Sequence, residues 1–558
     1  MKKRTKYLLI VIILMGAFLV YLFSVTKMKE PDHRQISENE MPVHQLNDSL
    51  AVCDDSWLKL NKQGMWELYV QGDPYSMGLK NGRLTKKLVH YQEEAFVEQI
   101  GQLVPSRSYL QFLRVFLGWF NRDLLNHVPL EYQLEVAGVS KSASAEFNDI
   151  APPFQRIMSY HGAHDMGHAL QSMCLVGCTS FGVWNNYTAD SSLLIGRNFD
   201  FYAGDRFSEN KIIAFMKPTH GYPFMSVTWG GMIGVVSGMN QEGLTITLNA
   251  EPTEIPFRSK TPVSILARKI LQYASTIDEA FAIAKEYEIF VSESFLIGSA
   301  KENRVALIEK TVDKIALSFP SENYMAVTNH YRDSSFIKGS TVNNTPFEDA
   351  SHYRLKRVEE MIDSVGSFSI ENMAKLLRDT KGKGGKNIGL GNEKAINQLI
   401  AHHSIIFKPK EKKVWISAAP YQLGAFVAYD LDEIFADPQS YRSKQASLEG
   451  DCISPDVLLT GNSYQQFIKY KEGLIKVQKG IKDNIVFTKK ELDGFIALNA
   501  EYYYPWFLVG NYYYKKKDYT FAKTFYSKAL ELEIPQQSEY NELVELMSEC
   551  DKTQVKAH

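Results

Sequence analysis

The residues best suited to do chemistry lie in two short strings, Gly-Cys-Thr-Ser at 177–180 and Gly-Arg-Asn-Phe-Asp at 196–200. A cysteine thiol becomes a useful nucleophile only when a base removes its proton. If the backbone were cut before Cys178, the new α-amino group on that residue could act as the base, because its pKa is roughly 7.7–8.0 in peptides. The two strings therefore indicate an enzyme whose nucleophile is an N-terminal cysteine.

The elements that must position these strings are predicted to be strands. Residues 179–184 have a period of two, residues 185–191 are rich in turn formers, and residues 193–197 form a second strand-like run. Short strands and helical stretches then alternate as far as residue 417. This order predicts an α+β domain in which sheets pack on each other and helices cover the outside.

The segment before the first string has a different pattern. Residues 57–72 are predicted to form a short strand pair, and apolar residues then recur at helical spacing from Pro74 towards residue 171. We therefore divide this part of the chain into a mainly helical segment, 56–177, and a sheet-rich domain, 178–445.

The N-terminus is predicted to be a signal anchor. Four basic residues (Lys2, Lys3, Arg4 and Lys6) precede an uncharged apolar run at 7–25, and nineteen residues at about 1.5 Å per residue would nearly span a bilayer. Residues 1–30 are thus assigned to a transmembrane segment and the polar residues 31–55 to a linker. The rest of the chain is then extracytoplasmic, or secreted if the segment is a cleaved signal peptide.

Composition bounds the class of partner. The chain has 558 residues, 45% hydrophobic and 23% charged, with a net charge of −2, so several globular units are expected and nucleic acid is not an expected partner. Its five cysteines are too few for a disulfide scaffold, and an odd number leaves at least one thiol free. Cys178 is the candidate for that thiol.

Residues 455–558 are predicted to form a helical module. Within it, Trp506, Gly510, Tyr513, Ala522, Tyr526 and Ala529 match the offsets of one tetratricopeptide repeat, with Pro535 one place late. A single repeat cannot bury both of its faces, so it should stack on flanking helices or dock on the sheet-rich domain, and it could bind a protein partner. An ordinary amphipathic helix pair would give the same pattern.

Several strings together resemble one enzyme family. Besides those at 177–180 and 196–200, they are Gly-Asp-Pro-Tyr-Ser-Met-Gly at 72–78, Gly-Met-Asn-Gln-Glu-Gly-Leu at 238–244, Leu-Asn at 248–249, Val-Thr-Asn at 327–329 and Ser-His-Tyr-Arg-Leu-Lys-Arg at 351–357. In this order they resemble the cysteine N-terminal nucleophile hydrolases, and more narrowly the acyl-coenzyme A:6-aminopenicillanic acid acyltransferase family, related to choloylglycine hydrolases and acid ceramidase. The resemblance covers about residues 58–430 and implies a four-layer αββα sandwich that matures by cutting itself before the cysteine.

The resemblance implies roles for named residues. Self-cleavage would fall between Gly177 and Cys178, and the missing side chain of Gly177 leaves the carbonyl open to attack by the thiol. Arg197 would then hold the thiol and favour the thiolate, while Asp200 would orient the α-amine. An ordinary surface ion pair is the alternative for Arg197 and Asp200.

The same resemblance supplies candidate groups for the acyl-transfer step. Asn249 and Asn329 are the candidate donors to the oxyanion, although asparagines near turns are commonly structural. Arg354 matches the late arginine of the family, with Arg357 as the fallback one helical turn on. The implied reaction is hydrolysis of a linear or N-acyl amide, or transfer of its acyl group, through a thioester; it needs no metal or cofactor.

Three alternatives remain open at this stage. The domain could be an inactive scaffold that recruits a partner to the membrane through its tail. It could also be a conventional Cys/His hydrolase, for which His330 is the nearest candidate base. Finally, His161, His164 and His168 have helical spacing suited to a metal, but the glycines among them and the absence of a HExxH frame favour a structural role.

Overall fold

The computed structural model describes residues 7, 13–14, 21, 26–33, 40–103, 106, 115–162, 165, 177–202, 204–253, 256, 258–337, 347–443 and 450–557. The anchor predicted at residues 7–25 lies almost entirely outside this set. Within the set, no helix is both long enough and apolar enough to cross a membrane.

The described residues form two sheets. In order across it, the larger sheet contains β1 (Val43–Asn47), β2 (Leu50–Cys53), β3 (Ser56–Leu60), β4 (Trp66–Gly72), β7 (Ile212–Pro218), β8 (Phe224–Thr228), β9 (Ser237–Asn240), β10 (Leu244–Ala250), β11 (Glu293–Ser299), β12 (Arg304–Lys310) and β13 (Ile315–Ser318). The smaller sheet contains β14 (Tyr324–Val327), β5 (Thr179–Asn185), β6 (Ser191–Phe199), β15 (His403–Lys408), β16 (Lys413–Ser417) and β17 (Phe426–Asp430).

Helices cover the outer faces of the sheets and form the C-terminal region. Those before and within the sheet-rich domain are α1 (Pro74–Leu84), α2 (Lys86–Leu103), α3 (Leu124–His127), α4 (Leu130–Ser140), α5 (Pro153–His161), α6 (Val263–Tyr273), α7 (Ile277–Glu286), α8 (Ser334–Ile337), α9 (Ala350–Val365), α10 (Ile370–Leu377), α11 (Leu431–Ala436) and α12 (Pro438–Ser443). The C-terminal helices are α13 (Asn462–Asp483), α14 (Lys489–Ala497), α15 (Tyr503–Lys515), α16 (Tyr519–Leu530) and α17 (Gln537–Ala557).

The layers follow from where alternate residues of a strand are buried. In β6, Leu193 and Ile195 pack between the two sheets, whereas Leu194 packs against the helices outside the smaller sheet. α9 and α10 cover that outer face, and α6 and α7 cover the outer face of the larger sheet. Since both faces of the central strands are buried, the strands carry long apolar runs. The order helix, sheet, sheet, helix is the predicted αββα sandwich.

One predicted boundary, that of the linker, is wrong. The second half of the predicted linker, 31–55, forms β1 and β2; Leu50–Cys53 is short and apolar but stands among polar residues, which hid the strand. The strand pair predicted at 57–72 is confirmed as β3 and β4, and because both join the larger sheet, the sandwich takes strands from both sides of residue 178. β4 pairs with β7 in parallel over seven residues. The two sides of a cut at residue 177 would therefore remain joined by a sheet.

The C-terminal region is helical, as predicted, and both stacks on itself and docks on the sandwich. α15 and α16 form the predicted pair: Ala522 and Ala529 are fully buried, and Gly510 has no room for a side chain beside the Tyr526 ring. The Asn499 side chain docks on the sandwich through hydrogen bonds with the backbone of Leu390. The assignment of this pair to the tetratricopeptide family stays a prediction.

Candidate active site

The nucleophile candidate lies at the start of a strand, where the register of its neighbour fixes what surrounds it. β5 and β6 are antiparallel, and Thr179 pairs with Asn198. One residue before this pair, Cys178 lies opposite Phe199. One residue earlier again, the backbone N–H of Gly177 donates to the carbonyl oxygen of Asp200 at 2.8 Å. The sequence spacing between the two predicted strings is thus the length of one hairpin.

The positively charged guanidinium of Arg197 contacts the sulfur of Cys178. Its Nη2 is 3.5 Å from Sγ of Cys178, and its other bonds go to the carbonyl oxygens of Val236 and Leu248 and to the hydroxyl of Ser237. The guanidinium is completely buried, so these acceptors, on or next to β9 and β10, fix its position. A cation fixed at this distance favours the thiolate over the thiol.

Burial nevertheless dominates the proton affinity of the thiol. Cys178 is 1% exposed, and burial raises the pKa of its thiol to about 11, an effect that the Arg197 charge opposes. The thiol of the uncut chain is therefore protonated near neutral pH. A base must take its proton before it can attack a carbonyl.

Asp200 has a buried carboxyl group that accepts no hydrogen bond from the described residues. Both of its carboxyl oxygens are buried and have no hydrogen-bond partner among the described residues. Burial raises the pKa of this carboxyl to about 8, against the opposing charges of Arg354 and Arg197. A buried carboxylate without a partner is costly, so the uncut chain holds this group largely as the neutral acid near pH 7.

Asn249 uses its side chain to join strands. Its Nδ2 donates to the carbonyl oxygens of Val327 and Thr328 at 3.3 and 3.0 Å, and its Oδ1 accepts from the Ser180 hydroxyl at 2.7 Å. Both amide hydrogens are therefore engaged with backbone. The geometry favours a structural role for Asn249 over the predicted oxyanion contact.

Asn329 retains a donor, and Arg354 fixes its orientation. One amide hydrogen of Asn329 goes to the carbonyl oxygen of Ala250 at 3.0 Å, while its Oδ1 accepts from Nη2 of Arg354 at 2.7 Å. Arg354 also donates from Nη1 to the carbonyl oxygen of Glu393, and its Nε has no hydrogen-bond partner within the described segments. Arg357, the fallback, instead pairs with Asp379 at 2.8 Å.

Sequence reasoning missed one side chain at the predicted cut. Nε2 of Gln398 donates to the carbonyl oxygen of Gly177 at 2.7 Å, and Gln398 is 2% exposed. Gln398 lies in the segment between α10 and β15, 220 residues from Cys178 by residue number. A buried glutamine in an irregular segment carries no sequence signal of this contact.

His330 does not have the environment of a catalytic base. Its Nδ1 is 2.8 Å from the Ser351 hydroxyl, and its ring stacks on His352 with centroids 3.8 Å apart. Burial, together with the nearby His352, lowers the pKa of His330 to about 3, so it binds protons weakly near neutral pH. These contacts favour the hypothesis of an N-terminal nucleophile over that of a conventional Cys/His hydrolase.

The predicted histidine cluster can be judged at only one position. Both ring nitrogens of His161 have backbone partners: Nδ1 is 2.9 Å from the Ile157 carbonyl oxygen, and Nε2 accepts from the Ile233 N–H at 3.0 Å. Burial lowers the pKa of His161 to about 4. This is a structural histidine, while His164 and His168 lie outside the described residues. In the part of the chain that is described, no group of three His, Cys, Asp or Glu side chains is arranged to hold a metal ion.

Four features together define a class of protein: an αββα sandwich, a cysteine directly before strand β5, an arginine at its sulfur and a buried aspartate nearby. It is the class of the N-terminal nucleophile hydrolases and acyltransferases. Residues 187–420 match the family model of acyl-coenzyme A:6-aminopenicillanic acid acyl-transferase. The match falls within the region over which the sequence resembles that family.

Relatives of known sequence match about half of the chain. A protein of Archaeoglobus fulgidus is 25% identical over 282 residues, which are 47% of this chain and 46% of the relative. Protein dcd1A of Dictyostelium discoideum is 23% identical over 310 residues, 50% of this chain and 65% of the relative. The match thus spans roughly half to two thirds of the length of these relatives.

Two solved structures align with less than half of the chain. An N-acylethanolamine-hydrolyzing acid amidase ortholog of Caenorhabditis elegans is 16% identical, covers 42% of this chain and 93% of its own, and has a TM-score of 0.30. A conjugated bile acid hydrolase of Clostridium perfringens is 13% identical, covers 46% and 93%, and has a TM-score of 0.31.

Proposed function

We propose that this chain is a self-processing cysteine amidohydrolase or acyltransferase, which cuts its backbone between Gly177 and Cys178 and then acts on a linear or N-acyl amide. The observation that carries the proposal is the environment of Cys178. Arg197 lies on its sulfur, and the buried Asp200 carboxyl has no hydrogen-bond partner among the described residues. An ammonium group on Cys178 would supply the cation that this carboxylate needs.

Self-cleavage needs only groups that the site contains, plus one water. Sγ of Cys178 bonds to the carbonyl carbon of Gly177, the bond from that carbon to the Cys178 nitrogen breaks, and the thiol proton ends on that nitrogen. Asp200 can carry the proton, because a pKa of about 8 leaves part of it ionised near neutral pH. Water then hydrolyses the thioester, leaving a carboxylate on Gly177 and a free thiol and amine on Cys178.

The cut chain would keep its fold. β4 lies before the cut and β7 after it, and the two pair in parallel from Trp66 to Gly72. Hydrogen bonds of this sheet and the buried apolar surface between the sheets hold the two fragments together without the peptide bond. The site would therefore survive its own maturation.

Turnover repeats the same attack on a substrate. The thiol of Cys178 bonds to the amide carbonyl carbon, its own amine passes the proton to the leaving nitrogen, and a thioester forms. The free amide hydrogen of Asn329 is the candidate donor to the oxyanion. Water or a second amine then takes the acyl group from sulfur.

Hydrolysis of a linear or N-acyl amide is our first choice between these two outcomes. The basic and apolar residues 2–25 favour an extracytoplasmic protein held by the predicted N-terminal anchor. Coenzyme A would be an unusual acyl donor outside the cytoplasm. An exported β-lactam or bile-salt amide would also fit the proposed chemistry.

The decisive experiment is intact-mass analysis and N-terminal sequencing of the full chain beside Cys178→Ala. The matched control is Cys550→Ala, which removes another buried free thiol, in the last helix. We expect a fragment beginning Cys-Thr-Ser-Phe in the wild type and the control, and one uncut chain in Cys178→Ala. A single uncut chain in folded wild-type protein would overturn the proposal.

The second part of the experiment addresses the acyl acceptor. Cut protein is given a panel of fluorogenic N-acyl amides, with and without hydroxylamine as a competing amine. Release of the free acid without hydroxylamine indicates hydrolysis, and formation of the hydroxamate at the expense of acid indicates a thioester from which an amine can take the acyl group. Cut wild-type protein that releases no fluorophore from any amide would count against N-acyl amides as substrates.

A further inference from the structure

The carbonyl group at the proposed cut has a buried side-chain donor. Nε2 of Gln398 lies 2.7 Å from the carbonyl oxygen of Gly177, within the range of a good N–H to O hydrogen bond. The acceptor belongs to the carbon that the Cys178 thiol must attack. Gln398 thus touches a reacting atom of the self-cleavage step.

The fit between Gln398 and Gly177 is tight. A Cβ atom at position 177 would lie 2.5–3.0 Å from three atoms of the Gln398 side-chain amide, closer than real Cβ contacts come. Glycine at this position therefore leaves room for the donor as well as for the thiol. The two residues form one arrangement that no other residue at 177 would permit without movement.

The backbone around Gln398 holds the donor in place. The N–H of Asn397 donates to the Asp379 carbonyl oxygen at 2.9 Å, and the Asn397 side chain accepts from the N–H of Leu399 at 3.0 Å. Leu399 has a φ of 55°, a left-handed conformation that a leucine adopts only when its surroundings require it. Both neighbours of Gln398 are thus fixed.

The other candidate donors are differently engaged. Both amide hydrogens of Asn249 bind the backbone of residues 327 and 328, and one of those of Asn329 binds the backbone of Ala250. Neither asparagine has a hydrogen bond to Gly177 in the described structure. Gln398 is the side chain that already donates to the oxygen on which negative charge would develop.

We propose that Gln398 is a catalytic residue of self-cleavage, whose amide stabilises the oxyanion on Gly177; this rests on the proposed self-processing. As Sγ of Cys178 bonds to the carbonyl carbon, the second electron pair of the C=O bond moves to the oxygen, and the Gln398 N–H binds that oxygen. When the carbon–nitrogen bond breaks, the carbonyl re-forms as a thioester and the nitrogen keeps the thiol proton. A donor preorganised at an oxyanion lowers the barrier because it needs no reorganisation.

The test follows the cutting of freshly translated full chain over time. Gln398→Met removes the donor at similar length, and Gln92→Met is the matched control, because Gln92 is also buried but lies on α2. We expect Gln398→Met to cut about 10²–10³-fold more slowly than the wild type, the typical cost of one lost oxyanion donor. The control should cut at the wild-type rate.

A second variant separates a catalytic role from support of the fold. In Gln398→Glu the ionised carboxyl repels the developing oxyanion, but its protonated form can donate a hydrogen bond. Compared with the wild type at the same pH, cutting should therefore be slow near neutral pH and should recover as the pH falls through the pKa of the introduced carboxyl. The wild type, whose thiol must lose a proton, should cut more slowly as the pH falls.

The outcomes distinguish this inference from the proposed function. Slow cutting in Gln398→Met, together with a Gln398→Glu rate that approaches the wild-type rate at the same pH in acid, supports the inference. If the wild type is cut and Gln398→Met is cut equally fast, the role of Gln398 is overturned but the proposed self-processing is not. Slow cutting of both variants at every pH also overturns it, because a structural role would give that result. A folded wild type that is never cut overturns the proposed self-processing and this inference with it.

Discussion

The two sides of the candidate site are held in different ways. On the nucleophile side, Arg197 lies on β6, Cys178 directly precedes β5 and Asp200 directly follows β6, so one hairpin places all three. On the donor side, Arg354 and Gln398 come from a helix and an irregular segment that are distant along the chain. Local register positions the first side, whereas the second depends on tertiary packing.

The C-terminal helices hold the donor side. Asn499 makes two hydrogen bonds to the backbone of Leu390, at 3.1 and 2.8 Å, and Lys394 pairs with Glu533 at 3.0 Å. Between these two anchors, the carbonyl oxygen of Glu393 accepts from Arg354 at 2.7 Å. The helical module therefore supports the segment that carries Arg354's partner and, further on, Gln398. We therefore expect substitutions in the helical module to disturb the positions of the hydrogen-bond donors more than the position of Cys178.

Asp200→Asn should give the largest effect, because it breaks the nucleophile side. It removes the carboxyl that we assign to proton transfer, a function worth about 10²–10⁴-fold in rate. We expect self-cleavage to slow by that factor and to lose the rise with pH that the wild type shows as this carboxyl ionises, its pKa being about 8. Time courses of intact mass between pH 5 and 9 would measure both changes. Wild-type cutting at every pH would contradict the role of Asp200.

Asp200→Asn should also change how the free energy of unfolding depends on pH. The pKa of Asp200 is about 8 in the folded chain, against about 3.9 for an unperturbed aspartate, so the folded state keeps a proton that the unfolded state loses. The extra stability is complete below about pH 4 and is lost as the pH rises to about 8, at about 1.4 kcal/mol per pH unit. In an uncut Cys178→Ala background, adding Asp200→Asn should therefore flatten the pH dependence of the unfolding free energy over this window.

Asn329→Ala and Asn249→Ala should separate a donor from a strand connector. Loss of the Asn329 donor should lower kcat of the cut enzyme by about 10²–10³-fold. Asn249→Ala instead leaves the buried carbonyls of Val327 and Thr328 without their partner, at a cost of about 1–3 kcal/mol each in the free energy of unfolding. Steady-state kinetics and urea titrations on both variants measure the two effects. The reverse pattern would make Asn249 the donor to the oxyanion.

What the sequence could predict follows the same division. The hairpin of Cys178 and Arg197 has a period of two and a fixed separation along the chain, so its geometry was readable from one short stretch. Residues 43–53 were missed because a few apolar residues in a polar segment become a strand only when the sheet pairs with them. Gln398 was missed because its contact depends on how an irregular segment is folded, and no local pattern encodes that.

Asn499→Ala should have a smaller effect, confined to the donor side. Asn499→Ala removes both hydrogen bonds with Leu390, and each contributes about 1 kcal/mol to holding the donor segment in place. A loss of about 1 kcal/mol corresponds to roughly a fivefold change in rate, so we expect a change of about that size or more. The matched control is Asn511→Ala, which loses a hydrogen bond to Tyr526 inside the helical module. We expect slower self-cleavage and a lower kcat for Asn499→Ala, with unchanged reactivity of Cys178 toward a small thiol reagent. Equal effects of both variants would mean that the module acts only through global stability.

His330→Ala should have the smallest effect, and it tests whether the nucleophile side is complete without a histidine. At neutral pH the His330 ring is uncharged, and it contributes a hydrogen bond to Ser351 and a stack on His352 worth about 0.5–1.5 kcal/mol. The variant should be somewhat less stable yet cut itself and turn over amides within a few-fold of the wild type, as measured by intact mass and steady-state kinetics. If activity were nearly abolished in folded protein, the base would be this imidazole rather than the α-amine of Cys178. The nucleophile side would then not be complete by itself, because the base that activates the Cys178 thiol would come from the donor side, which depends on tertiary packing.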